Sequence, residues 1–129
     1  MSDLELPPRT ESVARACDWV EATLQRHGWS PADVTRVVLG VGECVSNAVE
    51  HGAPDAPLRL RHEVAGDEAT VWVYDGGEGP RPDQVLSAKL PTDPMATGGR
   101  GLFILAHLAD EVSVDAGGGV QMTFRRGDV

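Results

Sequence analysis

The sequence predicts an α+β fold, a two-layer α/β sandwich with helices packed on one face of a mixed, mostly antiparallel sheet. Three observations carry this. Two long amphipathic helical patterns come first. The alternating segments after them pair across short turns, as hairpins do. The order reads α-α-β-β-loop-α-β-β, which lacks the strict strand-helix alternation of a parallel sheet.

Leu4-Glu5-Leu6 reads as a short edge strand, broken by Pro7-Pro8. Thr10 can then cap a helix in which Val13, Ala16, Cys17, Val20 and Leu24 recur at helical spacing, and Gly28 ends it. Ser30-Pro31-Ala32-Asp33 is a helix start: an N-cap hydroxyl, proline at the first helical position and an acid in the first turn. Val34, Val37, Val38, Val41, Val45, Ala48 and Val49 follow at spacings of three and four, which marks the core helix, with its stop at Gly52 and Pro54 just beyond. Leu58 to Val64 and Thr70 to Tyr74 form a hairpin around Gly66-Asp67. From Gly76 to Gly99 there are five glycines and four prolines, too much punctuation for regular structure beyond one helical turn at Asp83 to Lys89. A helix from Gly101 to about Ala109 and strands at Glu111 to Asp115 and Val120 to Arg125 complete the chain.

With 129 residues the chain suits one hydrophobic core and one domain, residues 1–129. Hydrophobic residues at 41% and charged residues at 24% fit an ordinary water-soluble protein. There is no run of about 20 apolar residues to span a bilayer and no signal-peptide pattern, so a cytoplasmic protein is expected, with no membrane partner. Cys17 and Cys44 fall inside apolar helical patterns and read as small core residues rather than a disulfide framework. The net charge of −9 argues against nucleic acid, whose phosphates demand clustered Lys and Arg.

Glycine clusters after a strand and before a helix suggest phosphate, yet the common phosphate motifs fail. The only lysine, Lys89, lies between Ala88 and Leu90, so no P-loop exists; Gly99-Arg100-Gly101 leads to Ile104 where a dinucleotide fingerprint needs glycine. Ser46 lacks the glycines of a nucleophile elbow, and His27, His51, His62 and His107 have no metal-ligand spacing.

What remains is a polar stripe. At about 100° per residue, Arg36, Glu43, Asn47 and Glu50 lie opposite Val41, Val45 and Ala48. A solvated face is the ordinary meaning of such a stripe, but two features oppose it. Gly40 and Gly42 each cost a helix about 1 kcal/mol relative to alanine, which implies a close approach to that backbone. Asn47 also disfavours a helix interior, yet its amide oxygen, one turn from a carboxylate, suits Mg²⁺ carried in on phosphates. Further on, Asp75 ends a strand and is followed by Gly76-Gly77-Glu78-Gly79, so a carboxylate that can accept from an exocyclic amine such as adenine's faces a permissive backbone. Gly98-Gly99-Arg100-Gly101 precedes a helix, whose free N–H groups favour phosphate oxygens.

Glu43-x-x-x-Asn47-Ala48-x-x-His51-Gly52, Asp75-x-Gly77-x-Gly79 and Gly99-x-Gly101-Leu102 together resemble, in order and spacing, the N, G1 and G2 boxes of the gyrase/Hsp90/histidine-kinase/MutL (GHKL) ATPase superfamily. The resemblance covers the chain from Leu4 to about Phe124 and implies the Bergerat ATP-binding fold, with a flexible ATP lid at about 80–98. Gly42-Glu43-x-x-x-Asn47-Ala48-x-x-His51 in a short chain is similar to the stand-alone anti-sigma-factor serine kinases. That likeness implies Glu43 as general base toward a seryl hydroxyl and Asn47 as Mg²⁺ ligand. It implies Asp75 as adenine reader and Gly77, Gly79, Gly99, Arg100, Gly101 and Leu102 as the remaining ATP-binding set. It also implies a small antagonist protein as substrate, a sigma factor as a second partner, and a homodimer. The chain departs from the pattern before its last strand, where Gly117-Gly118-Gly119 is followed by Val120-Gln121 instead of the usual Gly-Thr pair. A module of the same fold that binds a partner under ATP control without catalysis is the alternative expectation, and an adaptor keeping only the fold is a third.

Overall fold

In the computed structural model, which describes residues 2–52, 55–76, 108–114 and 119–127, seven elements appear. They are β1 (Ser2–Leu6), α1 (Glu11–Arg26), α2 (Pro31–His51), β2 (Leu58–Ala65), β3 (Glu68–Tyr74), β4 (Glu111–Val114) and β5 (Val120–Arg125). The strands form one sheet in the order β1-β2-β3-β5-β4. Each described pairing is antiparallel. The residues of the lid expected at about 80–98 and most of the helix expected from Gly101 lie outside the described residues.

The strand period sorts the sheet into a covered and an open face. Leu58, Leu60 and His62 of β2, Ala69, Val71 and Val73 of β3, and Val120, Met122 and Phe124 of β5 are buried. On the other face Arg61 pairs with Trp72 and Trp72 with Gln121, and at its edge Arg61 Nε donates to Asp3 at 2.8 Å. The helices contribute Ala16, Val20 and Leu24 from α1 and Val34, Val37, Val41, Cys44, Val45 and Ala48 from α2 to the same core. Each fully buried valine adds about 1.5–3 kcal/mol of transfer free energy, so the valine repeat of α2 is the main tie between helix layer and sheet. Among the described residues no helix is long and apolar enough to cross a membrane.

The helix starts differ from one another. Ser30 is an extended N-cap whose Oγ accepts from the Asp33 N–H at 3.2 Å, with Pro31 in the first turn. Thr10 has helical dihedrals and makes no side-chain cap. Ser12, two residues on, instead donates to the Pro7 carbonyl at 2.6 Å, so the proline break is tied to the helix from inside its first turn.

Gly42 faces α1. A Cβ there would meet the Cys17 Sγ of α1 at 3.4 Å, and that thiol lies 3.7 Å from the Val38 carbonyl. Among the described residues the neighbour nearest the α2 backbone at Gly42 is therefore α1, at ordinary van der Waals distance.

His62 is a core histidine. It is 5% exposed, with Nε2 2.9 Å from Thr23 Oγ1 and its ring centroid 4.2 Å from that of Trp19. Arg26 donates to the same threonine at 3.2 Å. Burial, chiefly, holds the imidazole below its ordinary value of 6.5, and the charges of the chain N-terminus, Arg26 and His27 add to it, against a backbone hydrogen bond that favours the charged form. A depressed folded-state value means that the unfolded chain takes up the proton first. The stability from neutral His62 is thus present above the unfolded value and is lost as pH falls from there through the folded value. Thermal unfolding followed from about pH 7.5 to about pH 5 is expected to show a falling midpoint, and His62→Leu should flatten that slope. An equal slope in the variant would assign it to other groups.

Candidate functional site

The site is built where the C-terminal half of α2 meets the end of β3. Along α2, Cys44, Val45 and Ala48 are buried in the core, which turns Glu43 and Asn47, both half-buried, toward the rim of the same helix. They stand four residues apart and so lie one turn above the other on one face. The valine packing beneath them keeps that face rigid, as a binding or catalytic pair requires.

Gly52 joins the two elements. It ends α2 with φ −78° and ψ −178°, extended rather than left-handed, and its N–H donates to the Ala48 carbonyl at 2.8 Å. A Cβ at this position would lie 2.4 Å from the Ala48 oxygen, 2.9 Å from Asp75 Cβ and 3.1 Å from Asp75 Cγ. The helix stop read from the sequence is thus correct, but glycine is needed there because a side chain would meet first the Ala48 carbonyl and then Asp75, not for a left-handed cap. Asp75 itself is half-buried, and Gly76, with φ 76°, follows it in a conformation that favours glycine.

The electrostatics of Cys44 are in keeping with that contact. Burial pushes the Cys44 thiol up to about 12, and the negative charge of Asp75 adds to the rise. Cys44 follows Glu43 directly, so the Asp75 carboxylate is felt in the same stretch of helix that carries the proposed base. Both cysteines are free; Cys44 is an inert core residue, since its thiolate is inaccessible at neutral pH.

At the same end of β3, Gly119 shows the same device. A Cβ on Gly119 would meet the Tyr74 ring at 2.3 Å, so the last glycine before β5 is required by the tyrosine that precedes Asp75. This gives a packing reason for a glycine at the point where the usual Gly-Thr pair is missing.

Arg36 leaves the stripe assigned to it. It shares the helix face of Glu43 and Asn47 but spends its guanidinium on structure, donating to the Leu108 carbonyl at 3.1 Å, to Asp110 at 3.2 Å and to Asp33 at 3.4 Å. It also donates to the Arg125 carbonyl and sits 5.9 Å over the Phe124 ring. Apart from Asp33, three residues earlier on the same helix, its partners are distant in sequence, and no spacing signal announces them.

Three of the candidate residues, Glu43, Asn47 and Asp75, are therefore on α2 or against it. Gly77, Gly79, Gly99, Arg100, Gly101 and Leu102 lie outside the described residues. Among the described residues no three His, Cys, Asp or Glu side chains gather as a metal cage. A divalent ion at Asn47 would take its other oxygens from phosphate and water, which is the habit of Mg²⁺.

Comparison with known proteins gives the same direction. Residues 6–125 match the model of the histidine kinase-like ATPase domain. The chain is 26% identical over 133 residues to the serine-protein kinase RsbW of Bacillus velezensis, covering 96% of this chain and 83% of that protein. It is 28% identical over 131 residues to the protein of the same name from Listeria innocua, covering 93% of this chain and 83% of that one. The Staphylococcus epidermidis protein of that name is 28% identical over 132 residues, covering 95% and 83%.

Proposed function

The chain belongs to the histidine kinase-like ATPase family, and from that premise we propose that it is an ATP-dependent protein serine kinase of the anti-sigma-factor type. The observation that carries the reading is the junction of Gly52 with Asp75, which sets a carboxylate at a strand end against the helix bearing Glu43 and Asn47. The serine-protein kinases to which the chain is similar along nearly its whole length support the acceptor class.

In this reading Asp75 accepts from the exocyclic amine of adenine and fixes the base. Asn47 offers its amide oxygen to the Mg²⁺ that accompanies the phosphates, and the glycines at 77, 79, 99 and 101, with Arg100 and Leu102, complete the nucleotide contacts. The ion supplies charge neutralisation and a fixed phosphate geometry. Glu43 accepts the proton of a seryl hydroxyl as its oxygen bonds to the γ-phosphorus; the bond from that phosphorus to the bridging oxygen breaks, and ADP keeps the electron pair. Such transfer demands chiefly positioning and one well-placed carboxylate, and a buttressed helix face provides both. The protein substrate is a small antagonist protein with an accessible serine, and a sigma factor is the second partner.

Incubation with γ-labelled ATP, Mg²⁺ and candidate antagonist proteins is expected to place the label on a serine of one of them. ATP-dependent partner binding with neither phosphoprotein nor ADP formed would assign the chain to the non-catalytic, nucleotide-gated class instead. Failure to bind ATP in a calorimetric titration would exclude both.

A further inference from the structure

Leu39 is the one large hydrophobic side chain left exposed among the described residues, at 51%. A single exposed leucine is ordinary on a protein surface; the place of this one is not. Leu39 lies four residues before Glu43 on α2, so the two side chains are neighbours one turn apart, with about 5–6 Å between Cβ atoms. At about 100° per residue, Thr35, Gly42, Ser46 and Glu50 share that outward face, and each is exposed or half-buried. The nucleotide-side residues run the other way along the helix: Asn47 is one turn beyond Glu43, and Asp75 meets Gly52 at the end of α2. With the nucleotide along the C-terminal half of α2, an acceptor hydroxyl comes to Glu43 from the Leu39 side.

The groove beside Leu39 is acidic. Cys17 of α1 reaches α2 there, its Sγ 3.7 Å from the Val38 carbonyl and 3.4 Å from where a Cβ on Gly42 would stand. Burial first, and then the charges of Asp18 and Glu21, push that thiol up, so both carboxylates lie near the line where the helices touch. Asp18 is exposed and Glu21 half-buried, and Glu43 and Glu50 add two more acids along α2. The neighbouring bases do not offset them. Arg36 is spent on Leu108, Asp110 and Asp33, and Arg15 stands about 200° around α1 from Cys17. A partner face of about 800 Å² is about 16 Å in radius; centred on Glu43, it covers Leu39 and reaches this groove.

We propose that Leu39 is the docking anchor for the protein acceptor: an apolar side chain of that protein, ringed by lysine or arginine and close to its serine, covers Leu39 between the acids of α1 and α2. This rests on the reading of Glu43 as the base. Leu39 selects the acceptor and takes no part in the transfer of the phosphoryl group.

The test is steady-state transfer from saturating γ-labelled ATP to the antagonist protein that takes the label. Leu39→Ala is expected to raise the KM for that protein about five- to tenfold, which is about half the worth of burying a whole leucine side chain, converted to affinity. The kcat and the calorimetric ATP affinity should stay within about twofold, because neither the base nor the nucleotide contacts change. Leu39→Met, which conserves volume, should stay near wild type. Leu39→Lys should raise KM further than alanine does, since it sets a cation against the basic groups of the partner, and Asp18→Asn combined with Glu21→Gln should raise it as well. Alanine, methionine and lysine are all good helix formers, and circular dichroism melts check that each variant is folded. A wild-type KM in both Leu39→Ala and Leu39→Lys would overturn the proposal, and so would a fall in kcat with KM unchanged. A KM lowered by Leu39→Lys would overturn it in favour of an acidic partner face. Loss of self-association in sedimentation with KM unchanged would also overturn it, by making Leu39 a contact between copies of this chain. Absence of transfer by the wild-type protein would instead overturn the function on which it rests.

Discussion

Glu43→Ala is expected to slow phosphoryl transfer from ATP to a protein serine by about 10²- to 10⁴-fold, the usual contribution of a positioned general base. ATP affinity should change little, because a base that acts on the acceptor hydroxyl contributes to the transition state and not to nucleotide binding. The expectation follows from placement. Glu43 stands on a helix whose opposite side is locked by Val41, Cys44 and Val45, each at most 4% exposed, so its carboxylate has a fixed origin and little freedom to be replaced by a neighbour. Glu50, the other acid of the stripe, is two turns away on an exposed part of the helix. Glu43→Gln sharpens the test, since it keeps size and hydrogen bonding but cannot accept the proton; a true base loses as much in Gln as in Ala. Single-turnover transfer with labelled ATP, Mg²⁺ and the acceptor protein measures the rate, and calorimetry the affinity. Transfer at the wild-type rate in either variant would remove Glu43 from the chemistry.

How far these roles can be read without coordinates depends on the range over which each residue's partners lie. The valine repeat of α2, the Ser30-Pro31-Asp33 start and the hairpin at Gly66 are local signals, written within one or two turns or across one loop, and the observed elements agree with them to within a few residues. Gly52 is legible as a helix stop, but its partner Asp75 directly follows β3, beyond the whole β2–β3 hairpin, so that part of the reason for glycine has no local signal. The neighbour of Gly42 is hidden for the same cause: it is Cys17 on the preceding helix. Arg36 was placed with Glu43 by helix periodicity alone, which reports direction from the axis but not what waits in that direction. On the proposed reading the three-box pattern is legible because its residues would meet one ligand, and a shared ligand imposes order and spacing on residues that need not touch one another. The strand order, with β5 inserted between β3 and β4, has no such local signature and came only from the structure.

The second large effect is expected at Asp75. Asp75→Asn should weaken ATP binding by about 10- to 100-fold, the worth of about 1.5–3 kcal/mol for a hydrogen bond to a charged group. ADP and adenosine should lose the same factor, because the contact is to the base and is shared by all three. Base choice should shift as well. A carboxylate is acceptor-only, so it matches the amine of adenine and opposes the carbonyl that guanine presents at the equivalent position; the asparagine amide offers a donor too. Discrimination of ATP against GTP, large where a buried polar group would be left unpaired, should therefore narrow in the variant. Gly52→Ala provides an independent approach to the same carboxylate. Its new methyl would stand 2.9 Å from Asp75 Cβ and 2.4 Å from the Ala48 carbonyl, so either Asp75 or the last turn of α2 must shift. ATP affinity is expected to fall although no nucleotide-contacting group is removed. Calorimetric titration of the two variants with ATP, adenosine and GTP distinguishes these outcomes. An Asp75→Asn titration that matches wild type for both purines would take Asp75 out of the site and leave its packing against Gly52 as a purely structural contact.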